Sequence, residues 1–368
     1  MYSQNDLDEA VAAGALSADA AAALRGYVDS QRSSPAVDEE NFRLITGFND
    51  IFVSIASAIL LFAVGFIGQW IGQQTGLIID NNGPSPLAPL AVAVTSWGLA
   101  LFFTAKRRMA LPSILLLLTF VIGVLATAGM TLVLGVGSDS LNDNPQLGGV
   151  LAAISAAVAA GAAWLHWKYF RVPITVAAGA ASVAGIAVSL LVAALGESAE
   201  QARNIILGFV LFLGIGTFLF AMWWDGSDRG RLTRRADVAF WLHLLAAPMI
   251  VHPVFTLLGL NDNSATVGEG LVAVLLYVVL GLTALAVDRR ALLVSALAYV
   301  LYALNALFRE FGAVELNVAL TALVIGSALL MLSAFWSQAR AAVVKPLPDA
   351  LRERLPLVNR VVSPAPAA

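Results

Sequence analysis

The chain contains no cysteine. Disulfides, cysteine-ligated zinc and iron–sulfur clusters are therefore excluded. Charge is scarce as well. Asp, Glu, Lys and Arg make up 12% of the 368 residues, against about 25% in a soluble domain. A soluble chain of this size could not cover its surface with so few. Familiar catalytic signatures are also missing: no G-x-x-x-x-G-K-[ST] phosphate loop, no H-E-x-x-H zinc pair and no G-x-S-x-G elbow. No catalytic residue, metal ligand or cofactor is assigned. The basic residues lie beside apolar runs, so nucleic acid is not needed to explain them.

Hydrophobic residues are abundant, at 59%. They cluster in runs of roughly 20, the length that crosses about 30 Å of hydrocarbon. The runs predict an all-α, polytopic transmembrane helical bundle of about ten spans. These lie near 51–72, 87–105, 111–135, 148–167, 173–195, 204–224, 237–260, 266–287, 290–308 and 313–336. Four regions follow: a cytosolic helical hairpin at 1–32, a linker and interfacial segment at 33–50, the membrane domain at 51–336, and a basic, partly disordered tail at 337–368. No cleavable signal is read in the first 50 residues, so the first span is expected to target the chain.

Lys and Arg test the span count through the excess of positive charge in cytoplasmic loops. With ten spans, all 21 of them except Arg203 and Arg309 fall on one side. Both termini are therefore expected in the cytoplasm.

In the hairpin, Gly14 is placed to end one short helix, and Ser17 to cap the next with Asp19 in its first turn. Such a hairpin is too small for its own core and reads as an element for protein docking or self-association. Within the spans, Ala153/Ala157/Gly161, Gly68/Gly72 and Ala181/Gly185 form small-residue stripes that permit close helix approach in lipid. Five spans on either side of residue 200 give halves of opposite orientation. That is the formal condition for an inverted repeat, although no matching motif links the halves.

The stretch "FWLHLLAAPMIVHPVF" holds His243 and His252. Nine residues on a helix is about 900° of rotation and roughly 13 Å of rise, so the two rings point to opposite faces and cannot share a metal ion. Each reads as a structural histidine bonded to a neighbouring helix, with a substrate or proton site as the alternative, stronger for His252. Pro248 and Pro253 predict a kink or local break in this span. No Asp or Glu is expected deep in a span.

In the ninth span, Tyr299, Tyr302, Asn305 and Arg309 recur along one helix face. A polar stripe in lipid should turn inward. With His252 and Glu269 these residues define a candidate polar pocket: His252, Glu269, Tyr302, Asn305 and Arg309. Interfacial ion pairs among Arg309, Glu269, Glu310 and Glu315 are the plainer reading of the same residues.

Three stretches, "AVAAGALSADAAAALRGYV", "DEENFRLITGFNDIF" and "FWLHLLAAPMIVHP", together resemble a family of bacterial multi-pass inner-membrane proteins of unknown function that begin with a cytosolic helical segment. The resemblance implies bacterial origin and polytopic topology, and carries no activity. The function expected is that of an accessory or structural membrane protein. A secondary transporter of a small solute is the alternative, and an intramembrane enzyme stands third.

Overall fold

The computed structural model describes residues 11–24, 48–80, 82–199, 201–229, 231, 233–259, 267–290, 292–294, 296–297, 300–301, 304 and 316–357. The chain divides into two units, Met1–Phe42 with Val358–Ala368, and Arg43–Leu357.

Of the first unit, residues 11–24 are described. Gly14 has φ +72°, and the Ser17 hydroxyl oxygen accepts the Ala20 N–H at 3.1 Å. The helix stop and the cap thus stand where their residue types place them.

The second unit is helical, with no strand among the described residues. Its helices are α1 (Phe48–Thr75), α2 (Leu87–Phe103), α3 (Ala110–Val136), α4 (Ser138–Asp143), α5 (Pro145–Phe170), α6 (Ile174–Leu195), α7 (Arg203–Gly226), α8 (Arg234–Leu257), α9 (Val267–Val287), α10 (Asn317–Ala334), α11 (Trp336–Val344) and α12 (Asp349–Arg352). Seven of them are long and apolar enough to cross a membrane: α1, α3, α5, α6, α7, α8 and α9. The pair α10 and α11, bent by 78°, brings the number to eight if it forms one span, and α2 is a shorter apolar helix. The count among the described residues is therefore seven to eight rather than ten. The expected ninth span falls on residues only partly described.

Large apolar side chains cover the outside. Phe52, Phe62 and Phe66 of α1, Phe212 and Leu219 of α7, and Leu330 and Met331 of α10 are all exposed. Water would penalise a surface of this kind. Hydrocarbon does not, and the bundle is that of a membrane protein.

Small residues set the closest helix contacts. A Cβ on Gly68 would lie 2.5 Å from the Leu87 carbonyl oxygen, and one on Gly149 2.6 Å from the Ala193 nitrogen. The Gly68/Gly72 stripe therefore makes the contact expected of it. The Ala153/Ala157/Gly161 stripe does so only in part: Ala153 is buried, whereas Ala157 and Gly161 are exposed. Steps of four residues overshoot a full turn by about 40°, so the line leaves the contact face. Ala156, Ala159 and Ala163 take its place in the interior.

Of the kink or local break expected at Pro248 and Pro253, the break is not found. α8 runs from Arg234 to Leu257 with both prolines inside it. Each proline removes one backbone donor, but Val251, Pro253 and Phe255 are buried in the bundle, and this packing keeps the remaining turns in place.

Turns at one end of the bundle share a backbone feature. Arg108, Arg171, Arg231 and Asp288 all have φ between +52° and +59°. Left-handed non-glycine residues are uncommon, and at Arg171, Arg231 and Asp288 the side chain makes contacts that glycine could not supply. At the other end, the Ser138 hydroxyl donates to Asp80 at 2.5 Å, and Gln69 holds Gly83 and Ser85.

Candidate functional site

α7 and α8 are antiparallel neighbours joined by a short turn. On α7, Gly214, Phe218, Ala221 and Asp225 recur at spacings of four, three and four and form one helix face. On α8, Ala236, Ala239, His243, Ala246 and Ala247 form the facing line, all buried. The alanines leave room for larger groups between the helices, and Asp225 and His243 fill it. The turn is stitched by Asp228, whose Oδ2 accepts from the Thr233 N–H at 2.8 Å and its hydroxyl at 2.7 Å.

Asp225 is 1% exposed and His243 0%. His243 Nε2 and Asp225 Oδ2 are 3.0 Å apart. An ionised carboxylate only accepts, so Nε2 carries the hydrogen. This is the histidine bonded to a neighbouring helix that the sequence suggested. His243 Nδ1 has no hydrogen-bond partner among the described residues. Phe218 meets the ring edge-on, with centroids 5.2 Å apart.

Arg289 completes the cluster. Its Nη2 donates to Asp225 Oδ1 at 2.5 Å, its Nε to Oδ2 at 3.2 Å, and Nη2 also to the Ala236 carbonyl at 3.0 Å. A carboxylate inside a bundle is costly unless paired and hydrogen-bonded. Here a two-point guanidinium and an imidazole meet it together. No acid was expected deep in a span, and Asp225 is not one: it is the last residue but one of its helix, buried at the helix end. Asp225 lies within α7, and both Arg289 and Asp225 are buried. The arginine-containing turn after α9 contributes a core residue, Arg289.

A second cluster adjoins the first. α9 ends in a Schellman arrangement: Arg289 N–H bonds the Ala284 carbonyl at 2.9 Å, and Asp288 N–H the Leu285 carbonyl at 3.3 Å. The left-handed position usually taken by glycine is held by Asp288, at φ +59°. Its carboxylate is the reason. Arg231 Nη1 donates to Oδ2 at 2.8 Å, Trp336 Nε1 to Oδ1 at 2.7 Å, and Arg340 Nε lies 3.7 Å from Oδ1. Burial by itself would raise the Asp288 pKa. The Arg231 and Arg340 guanidiniums and the Trp336 N–H outweigh it and hold the carboxyl below its ordinary value.

Arg340, together with Arg229, holds the end of the described chain. Arg340 donates to the Pro356 and Leu357 carbonyls at 2.7 and 3.1 Å. Arg229 donates to those of Leu355 and Arg352, each at 3.0 Å. Leu355 and Pro356 are buried. The tail thus folds back onto the arginine-rich end, at least as far as Leu357.

A second buried histidine escaped sequence reading. His166 of α5 is 0% exposed, with Nδ1 3.2 Å from the Thr175 hydroxyl of α6. Trp97, Phe120 and Phe170 surround its ring at centroid distances of 6.0, 6.0 and 4.6 Å. Two of the three histidines therefore tie adjacent helices together near the same end of the bundle.

The candidate pocket of His252, Glu269, Tyr302, Asn305 and Arg309 is described only in part. His252 is exposed on α8, on the opposite side from buried His243, as the nine-residue spacing requires. Glu269 lies in the first turn of α9, and its side chain lies outside the described residues. So do Tyr302, Asn305 and Arg309. Among the described residues no group of three or more His, Asp or Glu is arranged to hold a metal ion.

Compared with family models, with curated proteins and with solved structures, the chain matches none.

Proposed function

We propose that this chain is an accessory or structural protein of a bacterial inner membrane, with both termini on the cytoplasmic side. The observation that carries the reading is the use made of Asp225. It accepts from His243 and twice from Arg289, and so links α7, α8 and the turn after α9. A carboxylate so fully engaged acts as a fastener rather than as an acid or base awaiting a substrate. The fastened end also carries the docked tail, which fits a membrane platform for other proteins. The N-terminal hairpin is the other surface suited to a protein partner or to self-association. The arginine-rich turns at this end support the orientation, and the resemblance to bacterial inner-membrane proteins supports the localisation.

A reporter enzyme active only in the periplasm, fused after Ala368, tests the orientation. It should stay silent, and activity would overturn the topology. Affinity capture of the full chain and of a chain lacking residues 1–32 tests the platform. A partner, or a second copy, should be lost with the hairpin.

A secondary transporter is the second reading, favoured by the carboxylate and imidazole buried between spans. Ionisable groups in such places often mark solute or proton paths. Uptake by proteoliposomes that disappears in Asp225→Asn while the protein remains folded would move the assignment to transport.

A further inference from the structure

Between α3, α5 and α6, towards the end of the bundle away from the arginine-rich turns, lies an open groove of about 440 Å³. Leu125 and Gly129 of α3, Gly148 and Ser155 of α5 and Gly185 of α6 line it, and Leu141 of α4 stands at its mouth. Leu125 lies eleven residues before the end of α3, and Ser155 ten residues after the start of α5. The groove therefore reaches about 15 Å into the bundle. That is half of the roughly 30 Å of hydrocarbon in a bilayer, the depth of one leaflet. No charged residue lines it, and the buried Ser155 hydroxyl donates to the Leu151 carbonyl of its own helix at 2.7 Å.

Helix packing does not require this space. A Cβ on Gly129 would meet the Ser155 hydroxyl at 3.5 Å, one on Gly185 the Ala156 Cβ at 3.6 Å, and one on Gly148 nothing within 4 Å. These are ordinary contacts or none, unlike the 2.6 Å approach at neighbouring Gly149. Glycine inside a helix costs roughly 0.5–1 kcal/mol relative to alanine. What the three glycines provide in return is the width of the groove.

We propose that the groove holds one acyl chain of a phospholipid with an amine headgroup, phosphatidylethanolamine, from the leaflet opposite the arginine-rich end. This rests on the membrane reading above.

Shape and charge identify the occupant. A helix about 10 Å across would displace more than about 1,000 Å³ over the same depth, so a helix of a second copy is too bulky, whereas an extended hydrocarbon chain fits. Uncharged walls give a charged solute no partner. At the mouth, Ser138 and Leu141 are three residues apart on α4 and share a face, and the Ser138 hydroxyl donates to the Asp80 carboxylate at 2.5 Å. Asp139 follows in the same turn. Both carboxylates are exposed, and the loops at 76–86 and 137–144 contain no Lys or Arg. The mouth is thus anionic. It attracts a headgroup ammonium and repels a headgroup of net negative charge.

The test uses the full chain purified in detergent and delipidated. Native mass spectrometry and thermal stability are read while phosphatidylethanolamine or phosphatidylglycerol with the same acyl chains is added. Phosphatidylethanolamine should be retained about threefold more tightly, and joint Asp80→Asn and Asp139→Asn substitution should abolish the preference. Asn tolerates the left-handed φ of +58° at position 80. Gly148→Leu, which fills the groove, should lower retention of both lipids at least about tenfold. Gly161→Leu, on the same helix but outside the groove and equally free of neighbours within 4 Å, should change neither. Retention untouched by Gly148→Leu, or lowered as much by Gly161→Leu, would overturn the proposal. So would an equal or reversed lipid preference in the wild type. A Gly148→Leu protein that loses a dimer and keeps its lipid would assign the groove to a second copy instead. Should Gly148→Leu fail to fold, Ala152→Phe, at an exposed position in the same wall, blocks the groove in its place. Release of the chain from membranes by a carbonate wash would defeat the membrane reading, whatever the lipid result.

Discussion

Asp225 and Arg289, 64 residues apart in the chain, meet as a two-point ion pair with both side chains buried. Asp225 closes α7, and Arg289 follows the left-handed turn after α9. Neither can be removed alone without leaving a charge inside the bundle.

Arg289→Met should therefore destabilise the protein by about 3–5 kcal/mol, and Asp225→Leu by a similar amount. The double substitution should cost less than either single change, because it removes both charges and inserts apolar volume. Heat-induced loss of the monodisperse species in detergent supplies the double-mutant cycle. Additive losses would mean that the pair is not coupled.

Much of the bundle was legible in the sequence. The apolar run at 111–135 becomes Ala110–Val136, and that at 204–224 becomes Arg203–Gly226. Length and hydropathy suffice for such helices because each must satisfy its own backbone in lipid. The charged clusters were not legible. Asp225 lies at the edge of its apolar run, where sequence pattern cannot separate a loop charge from an interior one. Its partner comes from another turn, and the register that joins them is tertiary. One clue was present: Asp225 and His243 lie on either side of a short interhelical turn, so antiparallel packing brings them together. Pro248 and Pro253 allowed a local break that α8 does not make.

Asp288 makes stability at the arginine-rich end depend on pH. Its carboxyl titrates lower in the folded chain than in the unfolded one. The stabilisation is therefore fully present above the ordinary carboxylate pKa of about 4. It is lost as pH falls through the lower folded value. Asp288→Asn keeps a residue that tolerates the left-handed turn but removes the charge. The gap in melting temperature between wild type and Asp288→Asn should be constant from pH 8 to 6 and close below about pH 4. A gap that widens in acid would reverse the assignment.

The tail should come loose when its clamp is cut. Arg340→Ala removes donors to the Pro356 and Leu357 carbonyls. A hydrogen bond from a charged donor contributes about 1.5–3 kcal/mol. Trypsin cleavage after Arg352 or Arg354 should accelerate at least about tenfold if cutting follows local opening. Arg229→Ala, which frees the Leu355 and Arg352 carbonyls, should act in the same direction. Unchanged cleavage in both variants would show that the tail is held by other contacts.

Gly214 and Gly216, two residues apart on α7, should respond to alanine with opposite signs. A Cβ on Gly214 would lie 2.9 Å from the backbone carbon, oxygen and Cβ of Met249, whereas one on Gly216 meets nothing within 4 Å. The Met249 carbonyl is the acceptor that Pro253 leaves without its helical donor, so α7 approaches α8 where that ladder has a gap. Backbone cannot move aside as a side-chain tip can. Gly214→Ala should thus force α7 and α8 apart and cost about 1–3 kcal/mol. Because that displacement would stretch the His243–Asp225 bond, about three turns farther along α7, the loss should shrink when Asp225 and Arg289 have already been replaced by Leu and Met. Gly216→Ala should be neutral or stabilise by up to about 1 kcal/mol, the gain in helix propensity. Thermal unfolding of the two variants side by side checks the claim, and equal effects would mean that α7 meets α8 on a different face.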